Sequence, residues 1–302
     1  MTTARFNVRI LLIAAAVLAG AFLAAEVTFR LIAGERLLYR ADGVLEYSPR
    51  PNQSVLQRGV RFETNELGAR SPAVSREKPE DVFRVLVLGD SVVFGHTNIN
   101  QVDLATTRLS TLALGDGRKI EALNISAPSW GPGNLLAWIE ANGLLDADAA
   151  IIVLSGHDLD DDRTFGDLDR RIYPQRQPLF ALGDWIARQV SRTGAARSSD
   201  PRSSEDARRS LPILVGRLSE APSGACLVVH STTDELFSLR PSAAHNELRD
   251  VAVAAGLDVI HARDLISASD YVDDIHLSAE GQANLAKAML ACPALAGGPL
   301  RG

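Results

Sequence analysis

Two short stretches of this chain hold a hydroxyl, an imidazole and a carboxylate in patterns suited to acyl chemistry. In Gly89-Asp90-Ser91-Val92-Val93-Phe94-Gly95 a serine follows directly on an apolar, β-branched run. At such a strand-to-helix turn the hydroxyl is accessible as a nucleophile, and its own backbone N–H, near a helix start, is able to face a developing oxyanion. Near the other end, Asp273-Asp274-Ile275-His276-Leu277-Ser278 runs into an amphipathic stretch that carries Gly281 in its first turn. An imidazole titrates near neutrality and serves as a general base; a carboxylate three residues earlier fixes its tautomer and supports the imidazolium formed when it takes a proton. Taken singly, each has a plainer reading: an Asp/Ser turn that caps a helix, and a surface or core histidine. Taken as a pair, Ser91 and His276 with Asp273 are complementary halves of one constellation.

For these halves to meet, the intervening chain must build a scaffold. Val82 to Leu88, Ile120 to Ile125, Ala149 to Leu154, Ala225 to Val229 and Leu257 to Ile260 are near-continuous apolar runs of strand length. Helix-period stretches separate and follow them, at about Gln101 to Leu114, Asn134 to Gly143, Asp206 to Leu218, Ala243 to Ala255 and Ser278 to Leu290. Apolar strands alternating with helices imply a parallel sheet covered on both faces, a three-layer α/β domain of about five parallel strands. Ligands bind beyond the carboxyl ends of such strands, which is where Ser91 stands. The domain is expected over 82–292, preceded by an extended arm over 33–81 rich in Pro, Gly, Asn and Ser, and followed by a tail over 293–302. An insertion at about 160–210 interrupts the alternation; it reads as a solvated linker, with a lid as the alternative, whose apolar underside would be Phe165, Leu168, Tyr173, Leu179, Phe180 and Trp185.

The first 32 residues form an address. Arg5 and Arg9 precede an uncharged apolar run from Ile10 to Ala25, which ends at Glu26. Sixteen helical residues reach about 24 Å, short of a hydrocarbon core of about 30 Å unless the helix continues to Phe29. A cleaved signal peptide shares this start, but no helix breaker stands before Ala25 and the apolar pattern carries on through Ile32, so an uncleaved transmembrane anchor is expected. Under either reading the basic end stays in the cytoplasm and the remainder is exported, periplasmic or extracellular if anchored and secreted if cleaved. With 31 Lys and Arg against 37 Asp and Glu, a net charge of −6, the chain has no basic field for nucleic acid. Cys226 and Cys292 match no metal pattern and are read as two free thiols rather than a bridge.

The pair Gly89-Asp90-Ser91 and Asp273-x-x-His276, in that order, resembles the SGNH (GDSL-type) hydrolases. The resemblance implies a flavodoxin-like fold with Ser91 as nucleophile, His276 as base and Asp273 as its orienting partner, Asp274 being a bystander. In that family two further blocks donate to the oxyanion. Asn124-Ile125-Ser126-Ala127-Pro128-Ser129 places Ser129 where the family has a glycine whose backbone N–H donates, a position at which a positive φ would penalise a side chain. Ser155-Gly156-His157-Asp158 puts His157 where the family has an asparagine, so an imidazole N–H would have to donate instead. Asp90 and Asn124 complete the binding side of the site. The segment Phe62 to Arg70, together with the anchor, resembles membrane-attached bacterial members linked with envelope or exopolysaccharide modification. Arg70 is read as a tie between arm and domain.

What the resemblance implies is a serine ester hydrolase that acts on acyl esters, O-acetyl groups of an envelope glycan among them, with no cofactor and no metal, and with the membrane as a partner through the N-terminal helix. An O-acetyltransferase using the same three residues and a non-catalytic glycan-binding module are the alternatives. The acidic run Asp158, Asp160, Asp161 and Asp162 is expected to cap and solvate rather than to bind an ion. His96 is expected to line the pocket and His230 to face the same rim, whereas His245 and His261 stand apart from the chemistry.

Overall fold

The β-branched, apolar composition of Val82–Gly89 makes it an interior strand of a parallel sheet. In the computed structural model, which describes residues 2–191, 204–238 and 241–295, the chain runs α1 (Thr2–Ala33), β1 (Tyr39–Asp42), β2 (Glu46–Pro49), β3 (Ser54–Gln57), β4 (Val60–Glu63), β5 (Val82–Gly89), α2 (Ser91–Phe94), α3 (Ala105–Leu109), β6 (Lys119–Ser126), α4 (Pro132–Asn142) and β7 (Ala149–Leu154). It continues through α5 (Ala181–Ser191), α6 (Ser204–Leu218), β8 (Ala225–Val229), α7 (Thr233–Phe237), α8 (Ala243–Ala254), β9 (Asp258–His261) and α9 (Ala279–Leu290). The five-stranded sheet has the order β6-β5-β7-β8-β9 with every pair parallel, the expected three-layer arrangement. Strand order reverses at β5, so the crevice where ligands bind in such sheets opens at the carboxyl end of the strand that leads into Ser91.

Alternate residues of each strand feed two cores. Leu86, Leu88, Ile152 and Leu227 face the layer that includes α4, α6 and α8, while Val85, Val87, Ile151 and Val228 face that of α3 and α9. Within the second core lies a correction to the reading of the cysteines: Cys226 of β8 and Cys292, just beyond α9, are joined as a disulfide with Cα atoms 5.9 Å apart. Both are buried between the sheet and the last helix, which brings together two residues 66 apart in the chain.

The arm is more regular than expected, folding into two hairpins, β1 with β2 and β3 with β4. Arg70 ties it down: buried at 1% exposure, its guanidinium donates to the carbonyls of Phe94, Ile99 and Arg61 and lies over the Phe62 ring. The stretch expected to form a helix from Gln101 to Leu114 is shorter, a 3₁₀ turn at Gln101–Asp103 and then α3.

The insertion also differs from a solvated linker. Tyr173 is buried against Tyr39 and Tyr47, and the Tyr39 N–H donates to the Pro174 carbonyl. Helix α5 docks on α1, with Phe22 against Phe180 and Phe29 against Trp185. Glu26, the one acidic residue of α1, accepts from the N–H groups of Ala181 and Leu182 and so caps α5. Phe165 and Leu179 remain exposed. Residues 192–203 of the insertion and 296–302 of the tail lie outside the described residues. Val8–Ala33, 26 residues that include an 18-residue window of mean hydropathy 2.5, is long and apolar enough to cross a membrane.

Candidate functional site

Close packing fixes the turn that carries Ser91. A Cβ on Gly89 would stand 2.4 Å from the Val93 side chain and 2.9 Å from the Val153 carbonyl, so only glycine lets β5 turn sharply into α2 beside β7. Asp90 caps α2 by accepting from the Val92 N–H at 2.8 Å, and Gly95 closes the helix at φ 76°. At the far end of the chain, Ser278 caps α9, the Val272 N–H donates to the His276 carbonyl, and the Asp270 carbonyl accepts from the Ser278 N–H. These bonds clasp the 271–278 loop over the end of β5.

The structure brings together the residues that the sequence separates by 185 positions. The His276 Nε2 lies 2.9 Å from the Ser91 Oγ, and its Nδ1 lies 2.8 and 3.0 Å from the two carboxylate oxygens of Asp273. Oδ1 of Asp273 also accepts from the N–H groups of Ile275 and His276, an Asx-type turn that orients the carboxylate before the imidazole arrives. Burial opposes its ionisation, yet these backbone donors and the His276 ring together hold its pKa down at about 2. Asp274 contributes a main-chain carbonyl to Thr233 and no side-chain contact to His276. With Nδ1–H directed at a carboxylate, Nε2 is free to accept the Ser91 proton. The arrangement runs from buried to wet: Ser91 is 8% exposed, whereas the Asp273 side chain is 49% exposed.

Histidines buttress this relay. His96, at φ 43°, stacks on His276 with ring centroids 4.0 Å apart; burial and the neighbouring imidazole push its own pKa down to about 4, so it covers the His276 face as a neutral ring. His230 does not reach the rim. It is buried at 1% exposure, stacks on Tyr271, and its Nε2–H donates to the Ile275 carbonyl at 2.9 Å, supporting the loop from beneath. Desolvation depresses its pKa, which keeps that donor tautomer neutral. His245 and His261 stack on each other, 5.3 Å between centroids.

Ser129 adopts φ 58°, the left-handed conformation that a glycine would take without strain. The hairpin β1–β2 holds it there: the Tyr47 hydroxyl donates to the Pro128 carbonyl and the Trp130 indole N–H donates to the Tyr47 carbonyl. No sequence pattern announced Tyr47, because the contact spans 81 residues.

His157 is placed differently from a free oxyanion donor. Its Nδ1 bonds the Ser155 hydroxyl, and its Nε2 lies 3.3 Å from Asp90 and 3.4 Å from Asp158. Burial opposes the charge on this ring, but the carboxylates of Asp158 and Asp90 prevail and raise its pKa to about 10. Burial and Asp90 push Asp158 up, whereas the His157 bond brings Asp90 below the usual carboxylate range; Asp90 therefore carries the charge that faces the imidazolium. The same Asp90 Oδ2 is 3.3 Å from the Ser91 Oγ, so Asp90 links the His157 ring to the hydroxyl. Asn124 is drawn away from the site: fully buried, its amide donates to the Val93 carbonyl and to Thr106, tying β6 to α2 and α3. In the acidic run, Asp158 closes a capping box with Ser155, Asp162 caps α6 at Asp206 and Ala207, and Asp160 pairs with Arg208. Asp90, His157 and Asp158 offer three atoms within 4.8 Å of one another, a set with metal-ligand chemistry.

No family model matches this chain, and no curated protein does. Among solved structures it is similar to LAE5, an alpha/beta hydrolase enzyme from the metagenome of Lake Arreo (TM-score 0.45, 14% identity, 70% of this chain and 95% of the other). It is also similar to Axe2, an acetylxylan esterase from Geobacillus stearothermophilus (0.45, 13%, 71% and 94%), and to Est24, a carbohydrate acetylesterase from Sinorhizobium meliloti (0.39, 17%, 68% and 96%).

Proposed function

We propose that this chain is a serine ester hydrolase, anchored in a membrane by α1, that removes acyl groups from an envelope glycan. The observation that carries the reading is the continuous chain of contacts from Asp273 through His276 to Ser91 at the carboxyl end of β5. Ser91 Oγ attacks the acyl carbonyl carbon as its proton passes to His276 Nε2, and Asp273 stabilises the imidazolium. The negative oxygen that forms meets the backbone N–H groups of Ser91 and Ser129, with the His157 imidazolium adding a fixed positive charge nearby. Collapse expels the alcohol, which takes the proton from His276. Water, deprotonated by the same ring, then hydrolyses the acyl-enzyme and restores Ser91. The Cys226–Cys292 bridge suits an exported domain, and the apolar run of α1 with its basic start suits a signal anchor that leaves the domain outside the cytoplasm.

A fluorophosphonate probe tests the reading directly. The full chain in neutral detergent is expected to label on Ser91, and the label and ester turnover to vanish together in Ser91→Ala. A chain that is folded but unlabelled would instead be a binding module. Following isotopically marked acetate to water or to a sugar hydroxyl separates hydrolysis from transfer.

A further inference from the structure

Beside the Ser91 site lies a cavity of about 670 Å³ whose walls come from parts of the chain far apart in sequence. One end is formed by His96, which stacks on His276, and by Pro128, which adjoins Ser129. The other is formed by four guanidinium groups, Arg36 and Arg58 of the arm, Arg171 of the insertion and Arg188 of α5. Two carboxylates answer them. Asp169 grips Arg171 through two oxygens, and a single Asp184 is shared by Arg36 at 3.4 Å and Arg188 at 3.1 Å. Among the described residues Arg58 makes no ion pair and no side-chain hydrogen bond. The cavity wall thus holds two positive charges in excess, on a chain whose net charge is −6.

Crowding of this kind is costly in the empty protein. The Arg36 side chain is 13% exposed, and burial together with the charges of Arg188 and Arg58 brings its pKa down to about 10 against the opposing pull of Asp184. Guanidinium groups in excess of their carboxylates, gathered around a cavity, match a ligand that brings its own negative charge, since their planar forks bind carboxylate or phosphate oxygens in pairs.

We propose that this cavity binds an anionic group carried by the substrate, so that the preferred ester is an acylated glycan bearing carboxylate or phosphate. The inference rests on the hydrolase reading for its chemistry, but the anion site is measurable without it. A bilayer lipid headgroup shares the phosphate chemistry; the glycan is favoured because the cavity is lined by His96 and Pro128, the neighbours of His276 and Ser129.

The full chain in neutral detergent is assayed for acetate release from O-acetylated polygalacturonate and from O-acetylated glucomannan, and the ratio of the two kcat/KM values is compared between wild type and Arg58→Gln. This arginine is chosen because it has no side-chain bond to lose on substitution. The wild type is expected to prefer the anionic polymer at least tenfold, the ratio to fall about tenfold in Arg58→Gln through KM, and to shrink with added salt. In parallel, calorimetry with inorganic phosphate is expected to show binding that weakens about tenfold in Arg58→Gln. A wild-type ratio near one, or a ratio unmoved by the substitution, overturns the proposal. So does a charge effect seen only in nanodiscs of anionic lipid, which assigns the cavity to headgroups. Should neither polymer nor 4-nitrophenyl acetate be turned over, the hydrolase reading fails by itself, and phosphate binding alone decides for or against the anion site.

Discussion

Asp273→Asn isolates the electrostatic part of the proposed relay while leaving the loop's backbone contacts in place. Oδ1 accepts from the N–H groups of Ile275 and His276, and an amide oxygen in the same position would continue to do so. The amide NH₂ then replaces Oδ2, 2.8 Å from His276 Nδ1. Two donors repel each other there, which biases the ring toward carrying its proton on Nε2, toward Ser91, against the pull of the retained oxygen 3.0 Å from Nδ1. The lost charge adds to this. A unit charge 2.8 Å from the imidazolium is worth about 6 kcal/mol at an effective dielectric constant near 20 and about 3 kcal/mol near 40. With its side chain 49% exposed, Asp273 belongs toward the smaller figure because solvent screens it. Three kcal/mol is roughly 150-fold in rate, and the inverted tautomer brings the expected loss in kcat to about 10³- to 10⁴-fold. Steady-state hydrolysis of 4-nitrophenyl acetate, with unfolding midpoints to verify the fold, measures it. A loss under tenfold, or an equal loss in Asp274→Asn, would refute the assignment of the orienting acid.

Three further outcomes follow from the same geometry. His157→Gln leaves Asp90 and Asp158, 2% and 1% exposed, facing each other without a cation, and is expected to cost about 3–5 kcal/mol in urea unfolding at pH 7. Because the folded-state pKa of His157, about 10, lies above the ordinary imidazole value of 6.5, its stabilisation is complete below pH 6.5 and disappears as pH rises through 10; a stability profile equally steep in His157→Gln would contradict this. Ser129→Gly relieves a left-handed residue at φ 58°, raising stability by about 1 kcal/mol with turnover within threefold of wild type, read by thermal melts and ester kinetics. Reduction of the Cys226–Cys292 bridge, which closes a 66-residue loop, is expected to lower stability by about 4 kcal/mol, and thiol titration under denaturing conditions before and after reduction would show zero and then two groups.

Much of this protein is legible in one dimension. Strands such as Ala149–Leu154 are buried on both faces, so their apolar runs are continuous and their places stand out, and with them the five-stranded sheet. The positions of Ser91 and His276 at element ends follow from that pattern, because the ends of a parallel strand are where its side chains meet a ligand crevice. The exposed-linker reading of the insertion failed at Tyr173 and Trp185, whose partners are Tyr39, Tyr47 and Phe29, more than a hundred residues earlier. The cysteines were misread for the same reason: nothing in their local sequence reports that β8 and the end of α9 share a core. Periodicity and turn chemistry are local properties, and they determined the strands of the sheet and pointed to the candidate residues of the site. Only the folded chain decided that His157 stands between the buried Asp90 and Asp158, that Tyr47 holds Ser129 left-handed, and that four arginines from three segments meet around one cavity. Those are consequences of contacts between segments brought close by burial, and their energies depend on distances that no linear spacing encodes.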